Sequence, residues 1–371
     1  MITPLDLPDF PWDSLAPYKA RAVAHPEGIV DLSVGTPVDP TPEVVRRALA
    51  EAADAPGYPL TVGTADLRAA ICEWFERRRG VPGLGLDAVL PTIGSKELVA
   101  WLPTLLGLGA GDVVGIPAVA YPTYDIGARI AGAGSVVAQS LTSLGPLTAA
   151  TTPKLLWVNS PGNPNGQVLG VEHLRKVVSW ARQHGVVVAS DECYAELDWR
   201  EGQVGTSTPS ILHPDVCDGS HEGLLAVYSL SKQSNLAGYR AAFVAGDPAL
   251  VAAVLAVRKH AGMIMPTPVQ HAMAVALRDD AHVETQRTAY ARRREQLLAA
   301  VTRAGLRVEH SEAGLYLWAT GGEDCWTTVS ELADRGILVA PGSFYGAAGQ
   351  RHVRIALTAT DERIAAACSR L

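Results

Sequence analysis

Leu224-Leu225-Ala226-Val227-Tyr228, then Ser229-Leu230-Ser231-Lys232, then Arg240 eight residues after the lysine: this is the stretch on which the fold turns. Its five leading residues are apolar without alternation. A half-buried strand alternates apolar and polar side chains, so an unbroken run predicts a strand covered on both faces, as in a parallel α/β sheet. The strand then stops in small hydroxyl residues and a lysine. A solitary lysine is usually a solvated surface group. One that closes a buried strand beside Ser229, Ser231 and Arg240 asks for another explanation.

The same pattern recurs on either side. Apolar runs predict strands over residues 89–93, 113–116, 135–138, 155–158, 186–190 and 241–244, alternating with helical periodicity over 96–106, 123–131, 171–184 and 248–259. Together with 224–228 these make one large domain. Before it lie a proline-rich arm, a short strand at 29–34, and helices at 43–53 and 67–78. After Pro268 the order changes to helices at 269–277 and 282–304, a strand at 315–319, a helix at 326–335, a strand at 353–356 and a terminal helix. The expected fold class is α/β, a large domain with a mostly parallel seven-stranded sheet sandwiched by helices, plus a smaller α/β domain. The expected boundaries are an arm and part of the small domain in 1–35, a large cofactor-binding domain in 36–281 and a small C-terminal domain in 282–371. Residues 202–223 read as a long excursion between two core strands, a lid or a plain surface loop.

Composition narrows the function. The chain has 371 residues, 48% hydrophobic and 19% charged, with a formal net charge of −7. An acidic chain gives nucleic acid no electrostatic support. The triplets Arg77-Arg78-Arg79 and Arg292-Arg293-Arg294 read as solvated faces of helices. Five cysteines with no CxxC pair suggest neither a disulfide framework nor a metal site, and fit reduced thiols in a cytoplasmic protein. No apolar run is long enough for a membrane span, and the first residues carry no signal-peptide pattern.

Five short pieces carry candidate chemistry. They are Gly94-Ser95-Lys96, the segment from Asn159 to Gly166 (NSPGNPNG), Asp191-Glu192-Cys193-Tyr194, the Ser229–Lys232 turn with Arg240, and Arg354 in a late strand. All but Arg354 fall at the C-terminal end of an expected strand, where open α/β sheets bind ligands. Gly94-Ser95-Lys96 joins a strand to a helix and offers backbone N–H groups to an anion, and Ser229 with Arg240 would complete a phosphate cup. Asp191, just past a buried strand, is a costly place for an unpaired carboxylate, and a cationic ligand atom would stabilise it; a helix N-cap is the alternative. Tyr124, in a loop of prolines and tyrosines, could stack on a planar ring or simply pack. Lysine amines titrate near 10.4 and are weak nucleophiles at neutral pH; condensation with an aldehyde cofactor would solve that.

These pieces resemble the fold-type I aminotransferases of class I and II over nearly the whole chain. The resemblance implies pyridoxal 5'-phosphate, with Lys232 as its Schiff-base lysine and Arg240, Ser229, Ser231, Gly94, Ser95 and Lys96 around its phosphate. It implies Asp191 on the pyridine nitrogen, Tyr194 and Asn163 on the ring oxygen, and Lys232, Asp191 and Tyr194 as the catalytic group. Arg354 would clamp the substrate α-carboxylate, with Gly35 and Asn163 on the substrate side. Tyr58 resembles a tyrosine that reaches the neighbouring subunit's phosphate, which implies a homodimer. Two positions depart from the family pattern: Ala242 stands where a glycine is common, and Asn165 where threonine or serine is usual.

Among such enzymes the Leu32-Ser33-Val34-Gly35-Thr36-Pro37 opening and the Gly94–Glu97 turn most resemble the succinyldiaminopimelate aminotransferases of high-GC Gram-positive bacteria. That likeness implies glutamate as donor and N-succinyl-2-amino-6-oxopimelate as acceptor, in lysine and diaminopimelate synthesis, with Lys96 and Arg129 as candidates for the distal acid. An aspartate, aromatic or alanine aminotransferase, a cystathionine-type β-lyase and a non-enzymatic cofactor-sensing domain stand as alternatives.

Overall fold

The computed structural model describes residues 5–138, 148, 151–200 and 208–371. Its strands are β1 (Val30–Asp31), β2 (Val89–Ile93), β3 (Val113–Ile116), β4 (Gly134–Val137), β5 (Leu155–Asn159), β6 (Val187–Asp191), β7 (Leu224–Ser229) and β8 (Ala241–Gly246). Five more follow: β9 (Arg307–Glu309), β10 (Tyr316–Thr320), β11 (Ile337–Leu338), β12 (Ala340–Pro341) and β13 (Val353–Ala356). Strands β2 to β8 form the seven-stranded sheet, in the order β2-β8-β7-β6-β5-β3-β4. Only β8 runs against its neighbours, so β2, β5, β6 and β7 all end on the same edge.

Pleating explains why the β7 run is apolar throughout. Leu224, Ala226 and Tyr228 face one core with Trp74, Phe75 and Phe243. Leu225 and Val227 face the opposite core with Leu98, Tyr124 and Trp157. Successive side chains point to opposite faces, and both faces are covered, so neither tolerates a polar residue. The covering helices stop where the sequence gives left-handed glycines: Ala65–Arg79 ends at Gly80 (φ 62°) and Val171–His184 at Gly185 (φ 65°).

A second core gathers Tyr290, Leu297, Val301, Leu317, Val329 and Ile355 around the antiparallel sheet β12-β13-β10-β9. The N-terminal segment joins it through Leu15, Val30 and Leu32, and β1 pairs with β11 in parallel. The strand expected over 29–34 is thus two residues long, because β11 offers it only Ile337 and Leu338. Helix Asp280–Arg303 bridges the two cores: Gln286 accepts from Asn235 at 2.7 Å, while Leu297 lies in the second core.

Two expectations need correction. The arginine triplets are solvated only in part: Arg77 and Arg292 are exposed, and the others turn inward. Arg79 is fully buried against Glu192 (3.1 Å), Arg78 meets Glu196 and Glu284, and Arg293 meets Asp39 and Asp361. Each has carboxylates within reach that offset its desolvation. The excursion at 202–223 is neither lid nor free loop over the part described, since Ile211, Leu212 and Val216 are buried and Thr208 and Ser210 bind the Arg79–Glu192 pair. Residues 201–207 lie outside the described residues. Among the described residues, no helix is long and apolar enough to cross a membrane, and no cluster could hold a metal ion.

Candidate active site

The site forms along the edge where β2, β5, β6 and β7 end, facing β13 and β10 of the second core. Asp191 is the last residue of β6, one position further along the strand than its apolar run predicts. No helix follows it, so it caps none. Its Oδ2 accepts the Tyr124 hydroxyl at 2.9 Å and its Oδ1 the Cys193 N–H at 3.2 Å. Among the described residues no cation pairs with it. Burial pushes its carboxyl above the usual range, against the hydrogen bonds from Cys193 and Tyr124 that pull it down. A protonated ring nitrogen would reverse that balance.

Lys232 follows β7 in a short turn whose start is held by Ser229, its Oγ accepting the Ser231 N–H at 3.2 Å and donating to Ser231 Oγ at 2.8 Å. The Lys232 ammonium donates to the Gly35 carbonyl at 2.5 Å. Burial lowers its pKa from the ordinary lysine value. More of it is therefore the neutral, nucleophilic amine at a given pH.

Gly94, at φ 82°, is the turn between β2 and helix Ser95–Leu105. A Cβ there would lie 2.5 Å from Arg240 Cζ, so the guanidinium rests directly on the turn and depends on the glycine. Arg240 is exposed and donates to the Ala237 carbonyl at 2.8 Å. Together with the first N–H groups of the helix and with Ser229, it makes a cationic, donor-rich cradle of the kind that takes a phosphate.

Arg354, on β13, is 3% exposed. Its Nη1 donates to Asn163 Oδ1 at 3.0 Å and its Nη2 to the Ser33 carbonyl at 2.7 Å. Its Cζ lies 4.0 Å above the Tyr316 ring centroid and 5.1 Å from that of Tyr345. Among the described residues Nε is buried without a partner, and no carboxylate there neutralises the group. Asn163 is itself fixed by Asn159, whose Oδ1 accepts its N–H at 2.7 Å. Tyr194 places its hydroxyl 3.1 Å from that of Tyr316.

The structure therefore brings Gly35, Gly94, Ser95, Asn163, Asp191, Tyr194, Ser229, Ser231, Lys232, Arg240 and Arg354 to one edge. Four candidates sit differently. Tyr124 serves through its hydroxyl on Asp191, while its ring stacks on Trp157 (4.8 Å, 19°) instead of lying open to a ligand. The side chain of Lys96 is exposed and lies over Phe10 of the N-terminal segment, 5.3 Å from the ring centroid. Arg129 is exposed and pairs with Asp125 one helical turn away, at 2.7 Å. Tyr58 is fully exposed and touches none of this within the chain.

Sequence reading missed Tyr121 and Tyr316. Tyr121 feels Asp191, Tyr316 and Arg354, and burial pushes its phenol up to about 12. It shared a loop with Tyr124, and nothing in the spacing said which ring faced inward. Tyr316 opens an apolar strand and so passes for core.

The described groups fit pyridoxal phosphate: an uncompensated buried carboxylate, a half-buried amine, a phosphate cradle closed over a glycine, and an uncompensated buried arginine. Residues 27–371 match the family model described as aminotransferase class I and II. A probable aminotransferase of Mycobacterium tuberculosis is 61% identical over 365 residues, 98% of this chain and 85% of that protein. The 4-dedimethylamino-4-oxo-anhydrotetracycline transaminase of Streptomyces rimosus is 58% identical over 367 residues, covering 99% of both. The solved structure of a probable N-succinyldiaminopimelate aminotransferase from Thermus thermophilus superposes with a TM-score of 0.84 at 29% identity, over 98% of this chain and 100% of that one.

Proposed function

Because the chain belongs to the class I and II aminotransferases, as a pyridoxal-phosphate-dependent transaminase of fold type I acting on amino and oxo acids, we propose that it takes its amino group from glutamate and passes it to N-succinyl-2-amino-6-oxopimelate. The observation that carries a carboxylate-bearing substrate is Arg354, a guanidinium 3% exposed with no acid beside it among the described residues. Burying an unpaired charge is costly, and a substrate α-carboxylate is the counter-ion that relieves it. The particular acceptor rests on the likeness of the Leu32–Pro37 opening and Gly94–Glu97 turn to diaminopimelate-pathway enzymes, and on the similarity to the Thermus thermophilus protein.

When bound, the cofactor supplies an aldehyde that condenses with amines and a ring that accepts the electrons of the Cα–H bond. The chain's own residues do the rest. Lys232 holds the cofactor at rest and, once displaced, carries the proton to and from the substrate Cα. Asp191 keeps the ring nitrogen protonated, held in place by Tyr124. Tyr194 and Asn163 would donate to the ring oxygen, and Tyr121 would offer the ring a stacking surface. Gly94, Ser95, the Lys96 backbone, Ser229, Ser231 and Arg240 take the phosphate. Arg354, oriented by Asn163 and the Ser33 carbonyl, fixes the α-carboxylate and with it the direction of the Cα–H bond. Arg240 and Tyr58 are both exposed in the single chain, which fits a homodimer in which Tyr58 completes the phosphate site of the neighbouring subunit.

The similarity to the Streptomyces rimosus transaminase favours a second reading, amination of a ring ketone. One assay separates the two. The pyridoxamine form is mixed in single turnover with N-succinyl-2-amino-6-oxopimelate, 2-oxoglutarate, pyruvate, phenylpyruvate and a tetracyclic 4-oxo compound. Preference for the succinylated oxo acid over pyruvate and phenylpyruvate by about 10⁴-fold or more is expected of a site with polar groups to satisfy. Fastest turnover of the tetracyclic ketone would establish the second reading, and equal turnover of pyruvate would remove the first.

A further inference from the structure

Gly35 is where the side chains of Lys232 and Tyr316 meet. Its carbonyl accepts the Lys232 amine at 2.5 Å. A Cβ on it would fall inside the Tyr316 hydroxyl and 2.8 Å from the ring's Cζ and Cε1, so the absence of a side chain is what lets that phenol in. The Tyr316 hydroxyl in turn lies 3.1 Å from the Tyr194 hydroxyl, with the two rings edge to face at 5.7 Å. The guanidinium of Arg354 covers the other side of the Tyr316 ring, at 4.0 Å. Tyr316 is 4% exposed, and its hydroxyl has Tyr194 as its hydrogen-bonding side chain. A core tyrosine in an apolar strand would need only a backbone carbonyl for its proton. This one is placed between the lysine, the carboxylate-binding arginine and Tyr194.

We infer that Tyr316 is a positioning residue that donates to the Tyr194 hydroxyl oxygen and so sets how strongly Tyr194 donates to the ring oxygen of bound pyridoxal phosphate. The inference rests on the reading that Tyr194 faces that oxygen. Two hydroxyls in hydrogen-bond contact share one proton between them and keep the other for a third partner. Which way the pair points depends on which phenol is the more acidic. Burial raises both. The guanidinium of Arg354 lies 4.0 Å over the ring of Tyr316 and not over that of Tyr194, and a cation held against the ring draws electron density from that phenol and makes it the more acidic of the two. The more acidic phenol is the stronger donor. Tyr316 therefore gives its proton to Tyr194, and the Tyr194 proton is left for the ligand, strengthened by the bond behind it.

A donor on the ring oxygen favours its anionic form and lowers the pH at which the bound cofactor loses a proton, seen as a shift between its two absorption bands. Removing Tyr316 weakens that donor, so the midpoint rises. In the holoenzyme, Tyr316→Phe is expected to raise it by about half to one pH unit, the size of one neutral hydrogen bond. Tyr194→Phe should raise it further, and Tyr316→Phe in the Tyr194→Phe background should add nothing. An unmoved midpoint in Tyr316→Phe, or the same shift with and without Tyr194, would overturn the inference while the role of Tyr194 stands. An unmoved midpoint in Tyr194→Phe would instead remove the reading it rests on. Gly35→Ala is the second variant, should Tyr316→Phe hold cofactor poorly. It keeps the hydroxyl but forces the phenol away, and its midpoint must rise as well; a wild-type midpoint there also counts against the inference.

Discussion

Replacing Gly94 by alanine tests the phosphate cradle at the point where the backbone and Arg240 meet. The residue sits at φ 82° and ψ 150°, a region open to glycine alone, so alanine carries a backbone strain of about 1–3 kcal/mol. Its methyl would also stand 2.5 Å from Arg240 Cζ and closer still to Nη2. Neither the turn nor β2 behind it can retreat, because β2 is paired to β8 along its length. The exposed arginine must swing out. The strain burdens apoenzyme and holoenzyme alike and shows as a lower melting temperature. Displacing Arg240 burdens only the loaded form, because it removes a charge-assisted hydrogen bond to the phosphate worth about 1.5–3 kcal/mol. That corresponds to a cofactor dissociation constant about 10 to 10² times larger. Titrating apoenzyme with pyridoxal phosphate by absorbance measures it. Arg240→Ala should show a loss of the same order, and the double variant should bind no worse than Arg240→Ala, because the glycine acts through the arginine. Binding within twofold of wild type in Gly94→Ala would refute this account of the cradle. Fully additive losses would show that the turn acts through its own N–H groups instead.

Borohydride should fix the cofactor onto Lys232 alone, with peptide mapping as the check, and Lys232→Ala should fold but lose essentially all transamination. Since burial lowers the Lys232 pKa and only the neutral amine condenses, the pH profile of apoenzyme reconstitution should have its midpoint below the ordinary value of 10.5; a midpoint at or above that value would contradict a buried amine. Asp191→Asn should lower kcat by at least about 10²-fold, as removal of a charge that stabilises the transition state does, whereas Tyr124→Phe removes one hydrogen bond and should cost no more than about tenfold. Near-normal turnover of Asp191→Asn in steady-state assays would make the carboxylate merely structural. Dilution should reduce activity and cofactor retention together if each site is built from two chains, and a fully active monomer in sedimentation would defeat that.

Much of this site was legible because its chemistry is local. The β7 run ending in Ser229-Leu230-Ser231-Lys232 names its own strand, turn and lysine, and Gly94-Ser95-Lys96 reads as the turn from a strand into a helix. Asp191 was legible for a similar reason, since a carboxylate closing a buried strand is costly wherever the strand goes. Periodicity placed the ends of the sheet strands to within two residues, because burial on both faces leaves few polar positions inside them. It set the end of β6 one residue early, since Asp191 is polar yet still pairs with Val227.

What the sequence could not determine is which side chains turn toward one another from distant elements. Arg78, Arg79 and Arg293 read as solvated because their carboxylates, Glu196, Glu192 and Asp39, lie more than a hundred residues away in the chain. Lys96 read as a ligand-binding cation, and the structure gives it the ring of Phe10. Tyr124 and Tyr121 share a loop, and only the packing of Trp157 beneath one of them decides which ring is left to face the site. The sequence alone determined the sheet, the turns and the reactive groups, because strand burial, small-residue turns and the cost of a buried charge are properties of a residue and its near neighbours. The tertiary structure decided the partners. Gly35, Tyr316, Tyr194 and Arg354 come from four separate segments, and their meeting exists only where the second core closes against the edge of the sheet.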